Sequence, residues 1–231
     1  MNRNPGGRME NSFDSREFSS FCQLASVALE HEARNLASTA IERFSPIEAR
    51  WHPTGFAVFH IANNYDFGDL RLHIWPEGER VVRPFGAPIH THAWHLCSRI
   101  LVGTYSETLY EKSVPGKTEA KCYQSGDIRY LVDKDSIVSG DSVFLRPKTM
   151  TRSVSGEFHM VPAAVPHETL IEDKSFVATL LMTSRPVSET VTMYSPEAIL
   201  DSSYTRPQVA TNKKIEILER LEFELSSLVT S

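Results

Sequence analysis

The chain has 231 residues, of which 41% are hydrophobic and 23% charged. That is an ordinary balance for a soluble globular protein, and the length suits one large domain or two small ones. A formal net charge of −5 gives no general pull toward nucleic acid or anionic membrane, so neither is expected as a partner. Three cysteines without CxxC spacing argue against a disulfide framework, and no apolar run approaches the roughly 20 residues that cross a bilayer. The start, "MNRNPGGRMENSFDS", lacks the apolar core of a secretory signal. The expectation is a cytoplasmic protein.

Residues 1–13 are polar and read as a disordered tail. Asp14 with Glu17 resembles a capping box, and Phe18, Phe21, Ala25 and Ala28 recur at helical spacing. One or two helices are expected within 14–50, stopped by Pro46. From 51 to 190 the texture changes to short apolar or alternating runs such as "GFAVFHIA", "LRLHIWP", "HLCSRILVGTY" and "SFVATLLMTS". Turn signals such as "PEGE", "VPGK" and "SGD" divide them. Many short strands with frequent turns indicate a mainly β sandwich or barrel.

The segment 195–231 reads as helical again, with Ser195-Pro196-Glu197 as its cap. Ile215, Leu218, Leu221, Leu225 and Leu228 form an apolar stripe. Such a stripe packs on its own domain or seams two chains, so a monomer or a homodimer is expected. No internal repeat is visible, so the whole reads as one domain.

The histidines carry the chemistry. "GAPIHTHAWHLCSRILVG" places His90, His92 and His95 within six positions. Residues i and i+2 of a strand share a face, so His90 and His92 can ligate one ion. A third ligand must come from elsewhere. His167 in "AAVPHETL" is the best candidate, and His159 in "GEFHM" is its rival.

These residues resemble the two-motif pattern of the cupin superfamily. Its first motif reads glycine, five residues, HxH, three or four residues, glutamate, six residues, glycine; its second ends in a histidine after a proline-containing turn. His90 and His92 match the HxH pair, Gly103 the closing glycine, and His167 the second-motif histidine. Gly86 stands too close to His90 to match the opening glycine. The glutamate position holds Leu96. A neutral three-histidine set of this kind is similar to that of the thiol dioxygenases, including cysteine dioxygenase. "WPEGE", "GTYSETLYE" and "LLMTSRP" also resemble segments of that group. The resemblance implies a cupin double-stranded β-helix, a jelly-roll barrel with N-terminal and C-terminal helices around it. It also implies Fe(II) on His90, His92 and His167. The cysteine–tyrosine crosslink of the mammalian enzymes would fall at Leu96 and Thr183, neither of which can form it.

Arg71, His73 and Trp75 alternate in "RLHIW" and share one face. With Trp75 inward, as the resemblance implies, Arg71 could clamp a carboxylate or phosphate. His73, Trp75 and Thr183 complete the expected substrate contacts. His95 and Tyr105 are candidate acid–base groups, with a structural role in the wall the alternative for His95. Glu107 and Glu168 could stand in for the missing carboxylate, although Glu168 should face away from His167. Imidazoles also suit Zn, Ni, Cu or Mn. The expected function is a metal-dependent oxygenase using Fe(II) and O2 on a small polar substrate. The alternatives are a non-redox isomerase, lyase or cyclase, and a small-molecule-binding protein without catalysis.

Overall fold

Apolar periodicity of 3.6 residues builds the first element, α1 (Ser15–Arg34), which buries Phe21, Cys22, Ala25 and Leu29 along one stripe. A short second helix follows, α2 (Ala40–Phe44), ending just before Pro46 as expected. The computed structural model describes residues 15–34, 36, 39–65, 68–78, 88–130, 134–188 and 190–229. The expected tail over 1–13, the Asp14 cap and Gly86 lie outside the described residues.

Strands then dominate: β1 (Ala49–Trp51), β2 (Ala57–Tyr65), β3 (Gly68–Trp75), β4 (Ile89–His90), β5 (Leu96–Val102), β6 (Thr104–Ser113) and β7 (Lys121–Tyr130). They continue as β8 (Asp135–Val154), β9 (Phe158–Val161), β10 (His167–Leu170), β11 (Val177–Thr183), β12 (Val191–Ser195) and β13 (Ser202–Tyr204). The last element is a helix, α3 (Thr211–Val229). The protein is mainly β, with two antiparallel sheets consistent with a jelly-roll sandwich. One sheet runs β1-β2-β3-β11-β5-β9, the other β13-β8-β6-β10-β4-β12-β7. Long β8 pairs with β7 along its first half and with β6 along its second.

The first sheet is covered on both faces. Leu70, Leu72 and Ile74 of β3, with Ala178, Leu180 and Met182 of β11, join the core shared with α1, α2 and α3. Their neighbours in sequence face the other sheet, so β11 is buried at every position and reads as an unbroken apolar run. Arg99 of β5 binds Glu30 of α1 through Nε at 2.8 Å. Lys214 of α3 donates to the carbonyls of Ser45 (2.6 Å) and Ile47 (3.0 Å), capping the end of α2.

Two sequence expectations change here. No helix starts at Pro196: Ser195 closes β12, and its hydroxyl accepts the Glu197 N–H (3.1 Å), a local turn that uses the same residues as a cap. The C-terminal helix starts at Thr211. Its stripe is buried at Leu218, Leu221 and Leu225, with Ile217 replacing Ile215, while Ile215 and Leu228 are exposed. Its central part packs on its own chain. No helix among the described residues is long and apolar enough to cross a membrane.

Gly103 joins β5 to β6 at φ +83, and a Cβ there would meet the Phe176 carbonyl oxygen at 2.5 Å. Gly103→Ala is expected to cost about 2 kcal/mol or more, from left-handed strain plus the clash. Gly116→Ala (φ +80, with no neighbour within 4 Å) carries the strain alone. Thermal melts of the two variants should rank them in that order.

Candidate metal centre

Strand register assembles the site. β4 and β10 are antiparallel neighbours, and His90 is the direct cross-strand partner of His167. Such pairs lie within side-chain reach. His92 follows two residues after His90, just beyond the end of β4, and returns to the same side. One ring nitrogen from each of the three lies within 4.8 Å of the others. Ring centroids are 4.5 Å apart for His90–His167, 4.8 Å for His90–His92 and 4.9 Å for His92–His167. Two nitrogens bound to one ion at about 2.1 Å are at most about 4.2 Å apart, so small ring rotations complete the convergence.

The backbone orients two of the rings. His90 Nδ1 donates to the Pro88 carbonyl (3.1 Å) and His167 Nδ1 to the Val165 carbonyl (3.2 Å). A carbonyl only accepts, so each Nδ1 carries the hydrogen and each Nε2 keeps its lone pair for an ion. His92 is set differently: its ring stacks on Trp94 at 5.8 Å, and its buried Nδ1 has no hydrogen-bond partner. Burial lowers all three pKa values below the usual histidine range, with mutual repulsion adding to this at His92 and His167. The rings are therefore neutral at pH 7, the state a metal requires. A neutral imidazole set suits Fe, Zn, Ni or Cu and does not choose among them.

The trio opens onto a cavity of about 480 Å³ between the sheets, a size suited to a small molecule. Arg71, His73 and Trp75 line it, as alternation along β3 required. Arg71 binds Asp69 (2.9 Å), lies over Trp94 (5.2 Å), and keeps a buried Nε without a partner. Tyr105 also lines the cavity. Leu96 occupies the wall where the resemblance places a carboxylate. Leu96 and Thr183, the two crosslink positions, are cross-strand partners.

Two expected site residues do not line the cavity. Thr183 sits at the end of β11, where its hydroxyl accepts the Asp69 N–H (3.1 Å). His95 turns toward α1, against Phe18 (5.1 Å) and Phe21 (5.9 Å), and its Nδ1 accepts the Ala163 N–H (2.9 Å). His159 lies on β9 in the other sheet, outside the His90–His92–His167 trio. Glu168 points away, accepting the Tyr110 hydroxyl (2.7 Å).

Sequence reading missed His52, Phe56, Asp135 and Arg206 of the lining. Arg206 binds Asp135 through Nε at 2.8 Å, and His52 stacks on Phe56 at 4.3 Å. Glu107 is fully buried behind Tyr105 and Thr169, outside the lining and outside the His90–His92–His167 trio. Burial raises its pKa to about 8. Its Oε2 lies 3.7 Å from His159 Nε2, but burial lowers His159 to about 4. Both groups are therefore uncharged at pH 7, and the contact is not an ion pair.

His95→Ala should leave the metal stoichiometry intact, by elemental analysis. It should lower stability by about 2–4 kcal/mol, since ring packing is lost and a buried N–H is orphaned. A carboxyl raised from 4.5 to about 8 costs the fold nothing below 4.5 and progressively more as pH rises to 8. The melting temperature of Glu107→Gln minus that of the wild type should therefore climb across that interval and then level off. No protein-family model matches the chain and no curated protein matches it, so the functional reading rests on the geometry above.

Proposed function

We propose that this chain is a metal-dependent oxygenase of the cupin class, similar to the thiol dioxygenases, that binds Fe(II) on His90, His92 and His167. The observation that carries the reading is the convergence of three neutral imidazoles within 4.8 Å on the wall of a cavity fit for a small molecule. Three histidine ligands leave open positions on iron for O2 and substrate together, which is the chemistry such an ion supplies.

The chain's own residues do the rest. The Pro88 and Val165 carbonyls hold His90 and His167 in the ligating tautomer. Trp75, Phe56 and Leu181 line the cavity with apolar surface, which limits water around the reacting atoms. Arg71 offers its unpartnered Nε to an acceptor on a small polar substrate. Tyr105 places a hydroxyl at the cavity wall.

One observation favours a second reading, a non-redox isomerase, lyase or cyclase using Zn, Ni or Mn. A buried carboxyl with a pKa of about 8, one hydroxyl removed from Tyr105, suits proton transfer near neutrality.

Oxygen uptake by protein reconstituted with Fe(II) and offered a panel of small thiols and small polar acids tests the proposal. The expected outcome is iron-dependent uptake with at least one compound, reduced by a factor of about 100 or more in His90→Ala. Turnover indifferent to oxygen would select the second reading. Protein that retains no iron overturns the first.

A further inference from the structure

Behind the cavity wall lies a connected set of groups that metal binding does not use. Tyr105 lines the cavity, and its hydroxyl lies 2.9 Å from Thr169 Oγ1. Thr169 Oγ1 lies in turn 2.9 Å from Glu107 Oε2, donating to the carboxylate and accepting from the protonated carboxyl. Strand register explains the alignment, because Glu107 on β6 and Thr169 on β10 are direct partners. Glu107 is 1% exposed, and its Oε1 is buried without a partner. A carboxyl so placed costs stability. Two hydroxyl oxygens, those of Thr169 and Tyr105, lead from it to the cavity, which both residues line.

We propose that Glu107 is a proton store for the cavity, exchanging its proton with a bound molecule through the hydroxyls of Thr169 and Tyr105. The proposal rests on the reading of the cavity as a reaction site. In the delivering direction the Glu107 O–H bond breaks and its proton joins Thr169 Oγ1. The proton already on Thr169 passes to Tyr105 Oη, and the proton of Tyr105 passes to the bound molecule. One carboxylate is left and no electrons change hands. Rotation of the two hydroxyls reverses the direction.

The surroundings suit a store. Close enough to act electrostatically on the carboxyl are Tyr105 and Tyr110 from its own strand, Glu168 from β10 and His159 from β9. No cation stands among these four at pH 7, because burial holds His159 neutral. The Glu107 carboxyl therefore keeps its proton up to about pH 8, and a group matched to neutral pH exchanges protons most effectively. His159 Nε2, at 3.7 Å, is beyond hydrogen-bond reach. The connected groups are thus Thr169, through two hydrogen bonds of 2.9 Å, and Tyr105, which also interacts with the carboxyl directly.

Rapid mixing of metal-free protein into deuterium oxide at pH 6, followed by infrared spectroscopy, tests the path. The carboxylic-acid C=O band of Glu107 is assigned by its loss in Glu107→Gln, and its downshift times the exchange. Thr169→Val and Tyr105→Phe should each slow exchange by about tenfold or more, the worth of one hydrogen-bonded link. Thr169→Ser should restore the wild-type rate, and His159→Gln should leave it unchanged. Tyr105→Phe, which removes one oxygen atom, decides the matter should Thr169→Val not fold. The proposal is overturned by the absence of a Glu107-dependent band, by a rate indifferent to Tyr105→Phe, or by a rate set by His159. Because no metal is present, failure here leaves the iron reading standing, and failure of the iron reading leaves this result intact.

Discussion

The antiparallel pairing of β4 with β10 brings His90 opposite His167, and the rest of the site is arranged around that pair. β4 is only two residues long and is held between β10 and β12. A one-residue slip in either pairing would turn one of these histidines to the wrong face. Register here is fixed by the neighbours: β10 runs in continuous pairing with β6 from Leu109 to Ser106, and β12 with β7 over five residue pairs. The same β6–β10 register that places His167 also sets Glu107 beside Thr169. One constraint thus builds both the histidine trio and the hydroxyl path behind the cavity wall.

Burial is the second theme. Desolvation keeps His52, His73, His90, His92 and His167 uncharged, so the cavity is rich in imidazole without being strongly cationic. Its two arginines are each matched by an acid, Arg71 by Asp69 and Arg206 by Asp135. Pairing of this kind limits the cost of holding charge at a partly buried wall. At Arg71 it also fixes the guanidinium plane, so the Nε not used by Asp69 remains directed for recognition.

Much of this was legible in the sequence, for reasons that differ between residues. Period-two alternation placed Arg71, His73 and Trp75 on one face, because β3 is regular there. The i, i+2 spacing paired His90 with His92. His167 was reachable through its proline turn and the resemblance. His95 was harder, since it lies in the irregular stretch between β4 and β5, where no periodicity predicts direction. Its neighbours Phe18 and Phe21 come from a helix far away in sequence. Arg206, Asp135 and His52 reach the cavity from a loop, the start of β8 and the end of β1, and nothing local marks them. Glu107 could be singled out as a carboxyl in a strand-like run, but only the fold sets it behind Thr169 instead of among the ligands. The Ser195-Pro196-Glu197 signal failed because helix caps and isolated turns draw on the same side-chain chemistry.

The central claim is that three imidazoles each present a ring nitrogen to one ion, two of them through Nε2 because backbone carbonyls hold them in the Nδ1–H tautomer. Long-range proton–nitrogen NMR on protein with ¹⁵N-labelled histidine, recorded before and after one equivalent of Zn(II), reads tautomer and coordination together. The account predicts Nδ1–H tautomers at His90 and His167 in the metal-free protein at pH 7. On adding Zn(II) it predicts shifts of the Nε2 signals of His90 and His167 and of one ring-nitrogen signal of His92, with His95 and His159 unmoved. Nε2–H tautomers at the paired histidines, or zinc-induced shifts that fall on other rings, would contradict it.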